Sequence, residues 1–179
     1  MSYRTTFAVL GVLETKSIFL AKLIAKTNSV LLFDQNQATL KAVYTEILAE
    51  NPEANVEMMI CPTNASWEAD VIVLSDDAIN NGTLIEKIKK VVTGKMVLIL
   101  NDEIEPIQSI STFDKLRQLF PFSKVVQSIE SSDDKDDYGV LKGIDKQALN
   151  AVLTLFTPIG LKTSIQLQKK INLNKRSNG

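Results

Sequence analysis

The feature that most constrains this chain is a succession of short, uninterrupted apolar runs separated by segments whose apolar residues recur at helical spacing. The runs are Phe7 to Leu10, Val30 to Phe33, Val56 to Ile60, Val71 to Leu74, Met96 to Leu100 and Val125 to Ile129. Continuous rather than alternating apolar residues suit strands covered on both faces, as in a parallel sheet with helices on each side. Between the runs, Leu20, Leu23 and Ile24 mark a helix from Ser17 to Lys26. Leu40, Val43, Tyr44, Ile47 and Leu48 mark another from Gln37 to Glu50. Leu84, Ile85, Ile88, Val91 and Val92 mark a third helix, stopped by Gly94, and Phe113, Leu116, Leu119 and Phe120 a fourth, stopped by Pro121. Gly139 to Ile144, Lys146 to Phe156 and Thr163 to Leu167 read as a final strand, helix and strand. Right-handed crossovers then predict an α/β fold, a doubly wound and mostly parallel sheet in three αβα layers.

The chain has 179 residues, which fits one domain, expected over residues 1–168. Residues 169–179 form a basic tail with Lys169, Lys170, Lys175 and Arg176, expected to fray. The acidic stretch Ser131 to Asp137 is expected to be a mobile surface loop. With 20 basic and 21 acidic residues there is no global field, so nucleic acid is not an implied partner. No apolar run is long enough for a membrane span, and no basic leader with a cleavage site is evident, so the expected compartment is the cytoplasm. The single cysteine, Cys61, has no partner for an internal disulfide. Histidine is absent, which removes Ser/His/Asp and Cys/His nucleophilic machinery and any histidine-ligated metal.

In a doubly wound sheet, ligands sit beyond the carboxyl ends of the strands, here at Gly11 to Ser17, where the first strand turns into the first helix. A Rossmann dinucleotide loop reads G-x-G-x-x-G: one glycine makes the turn, the next admits the pyrophosphate and the third lets helix and strand approach. The segment in this chain is Gly11, Val12, Leu13, Glu14, Thr15, Lys16, and only the first glycine is kept. Leu13 stands where bare backbone must approach phosphate. Glu14 is read either as a favourable charge on the helix dipole, about 0.3–1 kcal/mol, or as a ligand group. Lys16 is either a solvated lysine or a point charge for a phosphate.

Asp34 ends the second strand, close to the offset of about twenty residues at which an acidic residue binds an adenosine ribose. It is equally a turn former. Gln35 and Asn36 follow without an arginine for a 2′-phosphate, which favours NAD over NADP if a dinucleotide binds. The fourth strand ends in Ser75, Asp76 and Asp77, whose carboxylates either cap the next helix or oppose a pyrophosphate. Asn101 and Asp102 end the fifth strand. With Asp34, Asp76 and Asp77 they offer oxygen ligands for a hard cation, but loops rarely converge by chance, and no resident metal is expected.

These residues also carry a family likeness. Phe7-Ala-Val-Leu-Gly11, Val30-Leu-Leu-Phe-Asp34-Gln-Asn-Gln, Trp67-Glu-Ala-Asp-Val-Ile-Val-Leu74 and Gly94-Lys-Met-Val-Leu-Ile-Leu-Asn101 resemble the NADP-dependent deazaflavin oxidoreductases, as does Phe120-Pro121-Phe-Ser-Lys-Val-Val126. The resemblance covers roughly Phe7 to Val126. It implies a Rossmann fold, NAD or NADP as cofactor, hydride transfer and a homo-oligomer. By position it implies that Gly11, Val12 and Leu13 touch the pyrophosphate, Asp34 and Gln35 the ribose, Ser75 with Asp76 the other side of the cofactor, and Asn101 the nicotinamide. Three departures stand out: the loop has lost two glycines, Asp34 replaces the NADP-type ribose loop, and Asp76-Asp77 replaces apolar residues and proline. The expectation is therefore an oxidoreductase-like domain with weak or lost cofactor binding. The alternative is a Rossmann binding or interaction module without redox chemistry.

Overall fold

The structure is a computed structural model, described here for residues 4–100, 110–129 and 139–168. The apolar runs are strands β1 (Thr6–Leu10), β2 (Ser29–Phe33), β3 (Val56–Met58), β4 (Val71–Leu74), β5 (Met96–Leu100), β6 (Lys124–Ile129), β7 (Val140–Gly143) and β8 (Ser164–Leu167). The helices are α1 (Thr15–Ile24), α2 (Gln37–Glu50), α3 (Pro62–Glu68), α4 (Asp76–Asn80), α5 (Gly82–Ile88), α6 (Thr112–Leu119) and α7 (Lys146–Phe156).

The strands form one sheet in the order β3-β2-β1-β4-β5-β6-β7-β8. β1 to β6 run parallel, β7 is antiparallel to β6, and β8 is parallel to β7. Chain order moves outward from β1 to β3 and then returns to place β4 on the other side of β1. This reversal opens a crevice at the carboxyl ends of β1 and β4, the usual ligand position in such sheets.

Successive residues of β1 alternate between two cores. Phe7 and Val9 join one with Leu20, Ile24, Leu40 and Val152, under α1, α2 and α7. Ala8 and Leu10 join the other with Ile72, Ile85, Phe113 and Leu116, under α3 to α6. Both faces are thus buried, which explains why the runs do not alternate with polar residues. The α/β, doubly wound, mostly parallel architecture expected from the sequence is the one observed.

The differences are local. The expected third strand ends at Met58 rather than Ile60, which is 88% exposed, because Pro62 opens α3 just beyond it. α4 has only five residues, and α3, with the sequence PTNASWE, has too few apolar residues to form a helical stripe, so both are invisible to the apolar pattern that located the other helices. Their signals are caps: Pro62 at the start of α3, and Ser75 before α4 with Asp76 and Asp77 in its first turn. The acidic stretch 131–137 and the tail 169–179 lie outside the described residues.

Candidate functional site

The crevice begins at Gly11. Its N–H donates to the Phe33 carbonyl at 2.9 Å, and the Ser75 N–H donates to the Leu10 carbonyl at 3.2 Å, so the end of β1 is tied to both neighbours. Gly11 has a φ of 86°, and a Cβ added there would stand 2.0 Å from Ser75 Oγ and 3.2 Å from Ala78 Cβ. The first glycine is therefore fixed twice, by its dihedral and by the approach of β4.

Asp34, at the end of β2, is only 4% exposed. Its Oδ2 accepts the Val12 N–H at 2.9 Å and its Oδ1 the Asn36 N–H at 2.7 Å. The carboxylate thereby clamps the glycine loop to the start of α2, whose first turn is capped by Asn36 Oδ1. Gln35 lines the crevice beside it, and the Gln37 side chain donates to the Asp34 carbonyl at 3.2 Å.

Glu14 occupies the N-cap of α1, yet its side chain makes no capping bond to that helix. It crosses the crevice instead: Oε1 accepts the Asp77 N–H at 2.8 Å and Oε2 the Asp76 N–H at 3.3 Å. The sequence weighed Glu14 against the dipole of its own helix. The structure gives its carboxylate to the first turn of α4, a partner 63 residues away. Ser75, fully buried, caps α4 through Oγ, which accepts the Ala78 N–H at 3.2 Å.

These elements enclose a cavity of about 230 Å³, lined by Gly11, Leu13, Asp34, Gln35, Asp77 and Asn81 among others. Leu13 reaches it with a side chain 49% exposed. Asn81, which sequence reasoning passed over, borders it and caps α5 by accepting the Leu84 N–H at 3.0 Å. Its signal was present as an Asn-Gly pair before an apolar helical stretch.

Of the residues singled out, the fold brings Gly11, Val12, Leu13, Glu14, Asp34, Gln35, Ser75, Asp76 and Asp77 to one edge of the sheet. Asn101 and Asp102 lie outside the described residues. Among the described residues, no group of three or more His, Cys, Asp or Glu stands together as metal ligands do. No helix among them is long and apolar enough to cross a membrane.

Solved structures share the fold. A protein assigned as an F420-dependent NADP-reductase from Arthrobacter superposes with a TM-score of 0.69 at 21% identity, over 89% of this chain and 82% of that one. An imine reductase from Bacillus cereus gives 0.70 at 10% identity, over 92% of this chain and 55% of its own. The imine reductase from Myxococcus stipitatus, solved with NADP+, gives 0.64 at 13% identity, over 90% and 54%. This chain thus spans about half the length of either imine reductase. At such identities the likeness shows the Rossmann-like fold. No curated protein matches the sequence.

Residues 78–178 match the family model described as single cache domain 4. The match starts inside α4 and runs past β8, so it takes in the second half of the sheet and leaves the glycine loop and Asp34 outside. It is a different family from the deazaflavin oxidoreductases that the sequence resembles.

Proposed function

We propose that this chain, which belongs to the single cache domain 4 family, carries a Rossmann-type crevice that binds NAD(P) weakly and acts as a binding module without hydride transfer. The observation that carries the reading is the hydrogen bonding of Asp34 and Glu14 to the crevice's own backbone amides. A pyrophosphate is held in such sites by loop N–H groups at a helix N-terminus. Here the Val12 amide already serves Asp34, and the Asp76 and Asp77 amides across the crevice serve Glu14.

Charge acts in the same direction. The lining of the cavity includes Asp34 and Asp77 and no lysine or arginine. A like charge at about 6 Å in an effective dielectric near 20 costs roughly 3 kcal/mol before salt screening. Leu13 adds a side chain where the phosphates need bare backbone. The oxidoreductase reading draws its support from the neighbours, several of which are reductases or dehydrogenases. It requires this chain to overcome all three obstacles.

The test is calorimetric titration of NADH and NADPH into the wild type and into Leu13→Gly, Glu14→Gln and the double variant. The wild type is expected to bind more weakly than micromolar, and the double variant to gain about tenfold or more, equal to roughly 1.4 kcal/mol. Each single change removes only one obstacle and should gain less. Micromolar or tighter binding by the unmodified protein would overturn the proposal and favour the oxidoreductase.

A further inference from the structure

The opposite edge of the sheet holds a larger cavity, of about 510 Å³, between the end of α6, the start of β6 and the β7–α7 turn. Because β7 is antiparallel to β6, its end meets the beginning of β6 and brings Ile144, Asp145 and Lys146 beside Lys124. Arg117, Lys124 and Lys146 supply its cations, and Phe120, Val125 and Ile144 its apolar lining. The volume falls within the roughly 300–1,000 Å³ of small-molecule sites.

With Asp114 paired to Arg117 and Asp145 in the lining, the three cations leave a net charge of +1, carried by the lysines. Asp145 is the only acidic member of the lining, and its Oδ1 is turned to its own helix, accepting the Gln147 and Ala148 N–H groups at 2.8 and 3.0 Å. Arg117 is held in place: Asp114 Oδ1 takes one guanidinium N–H at 2.8 Å, and the group lies 5.5 Å from the centre of the Phe113 ring. That bond uses one of the five guanidinium donors and leaves the planar fork able to meet a second oxyanion. Among the described residues, no carboxylate pairs with Lys124 or Lys146. Ser123 completes the lining, with its hydroxyl donated to the Val92 carbonyl at 2.7 Å.

We propose that this cavity is a binding site for a small phosphate monoester with an apolar body, distinct from the crevice at the other edge of the sheet. The phosphate oxygens are met by Lys124 and Lys146, which have no carboxylate partner among the described residues, and by the guanidinium donors of Arg117 beyond the one given to Asp114. The apolar body rests on Phe120, Val125 and Ile144.

Calorimetric titration of the full chain with phenyl phosphate tests this, with benzyl alcohol, inorganic phosphate and succinate as separate arms. The expected result is saturable binding of phenyl phosphate that weakens with salt and falls about tenfold or more in a Lys124→Ala/Lys146→Ala variant. Both lysines are exposed, and an unchanged thermal melt certifies that the variant is folded. Leu13→Gly, in the crevice, should leave the affinity as it was. No binding, binding indifferent to the lysine changes, or binding altered by Leu13→Gly would overturn the site. Succinate binding as tightly as phenyl phosphate would overturn the phosphate assignment, and inorganic phosphate doing so would overturn the apolar subsite.

Discussion

The two edges of the sheet treat charge in opposite ways. At the carboxyl ends of β1, β2 and β4, the carboxylates of Glu14 and Asp34 are answered by backbone N–H groups of the chain itself. At the start of β6 and of α7, Lys124 and Lys146 face a cavity with no carboxylate paired to them among the described residues. The first arrangement gives the Val12, Asp76 and Asp77 amides acceptors within the chain. The second leaves charge for a ligand to neutralise. A shared architecture does not by itself fix where a protein of this shape binds.

The comparison predicts that damage at the crevice edge appears as lost stability. The largest effect is expected for Gly11→Ala, which combines a φ of 86° with a Cβ placed 2.0 Å from Ser75 Oγ. A strained left-handed residue alone costs about 1–3 kcal/mol. With the clash added, urea denaturation should show a loss of about 3 kcal/mol or more. A midpoint close to wild type would mean that β4 moves aside readily, and the close approach at Ser75 would lose its structural meaning.

A smaller loss is expected from Asp34→Ala, which leaves the Val12 and Asn36 N–H groups without their acceptor. Unsatisfied donors of this kind cost about 1–3 kcal/mol. Chemical denaturation measures it, and hydrogen exchange should show the Val12 amide losing protection. If stability is unchanged while dinucleotide affinity falls, Asp34 is a ligand residue and the self-satisfied picture of the crevice fails.

The least effect is expected on the outer surface, where Lys22 Nζ donates to Glu46 and Glu50 at 2.5 and 2.8 Å. The hydrogen bond that Lys22 donates to Glu46, then the one it donates to Glu50, raises the lysine above its ordinary value. A raised lysine contributes stability that is complete below the unfolded-state pKa, about 10.4, and is lost as pH rises through the folded value. Lys22→Met should therefore change the urea midpoint less than either crevice variant, as solvent-screened pairs do. It should also remove part of the decline expected on the alkaline side. A loss as large as that of Asp34→Ala would erase the contrast between crevice and surface.

By itself the sequence determined the layers. Runs such as Met96–Leu100 and periods such as that of Gln37–Glu50 are local, and burial on both sheet faces or along one helix stripe imposes them residue by residue. It also determined that the first turn would be unusual, because Leu13 and Lys16 stand where the dinucleotide loop has glycine. The sequence left Asp34 open between ribose ligand and turn, and Glu14 between a charge on its own helix's dipole and a ligand group. Tertiary structure decided both partners, since the amides that take these carboxylates lie 22 and 63 residues away and meet them only when β2 and β4 flank β1. The cavity at the opposite edge also depended on assembly. Arg117 and Lys124 are joined by the short α6–β6 turn, but Lys146 is brought to them by the antiparallel return of β7, a pairing that no local period encodes. Hydrogen bonds and fields follow distance in space, whereas a sequence pattern records only distance along the chain.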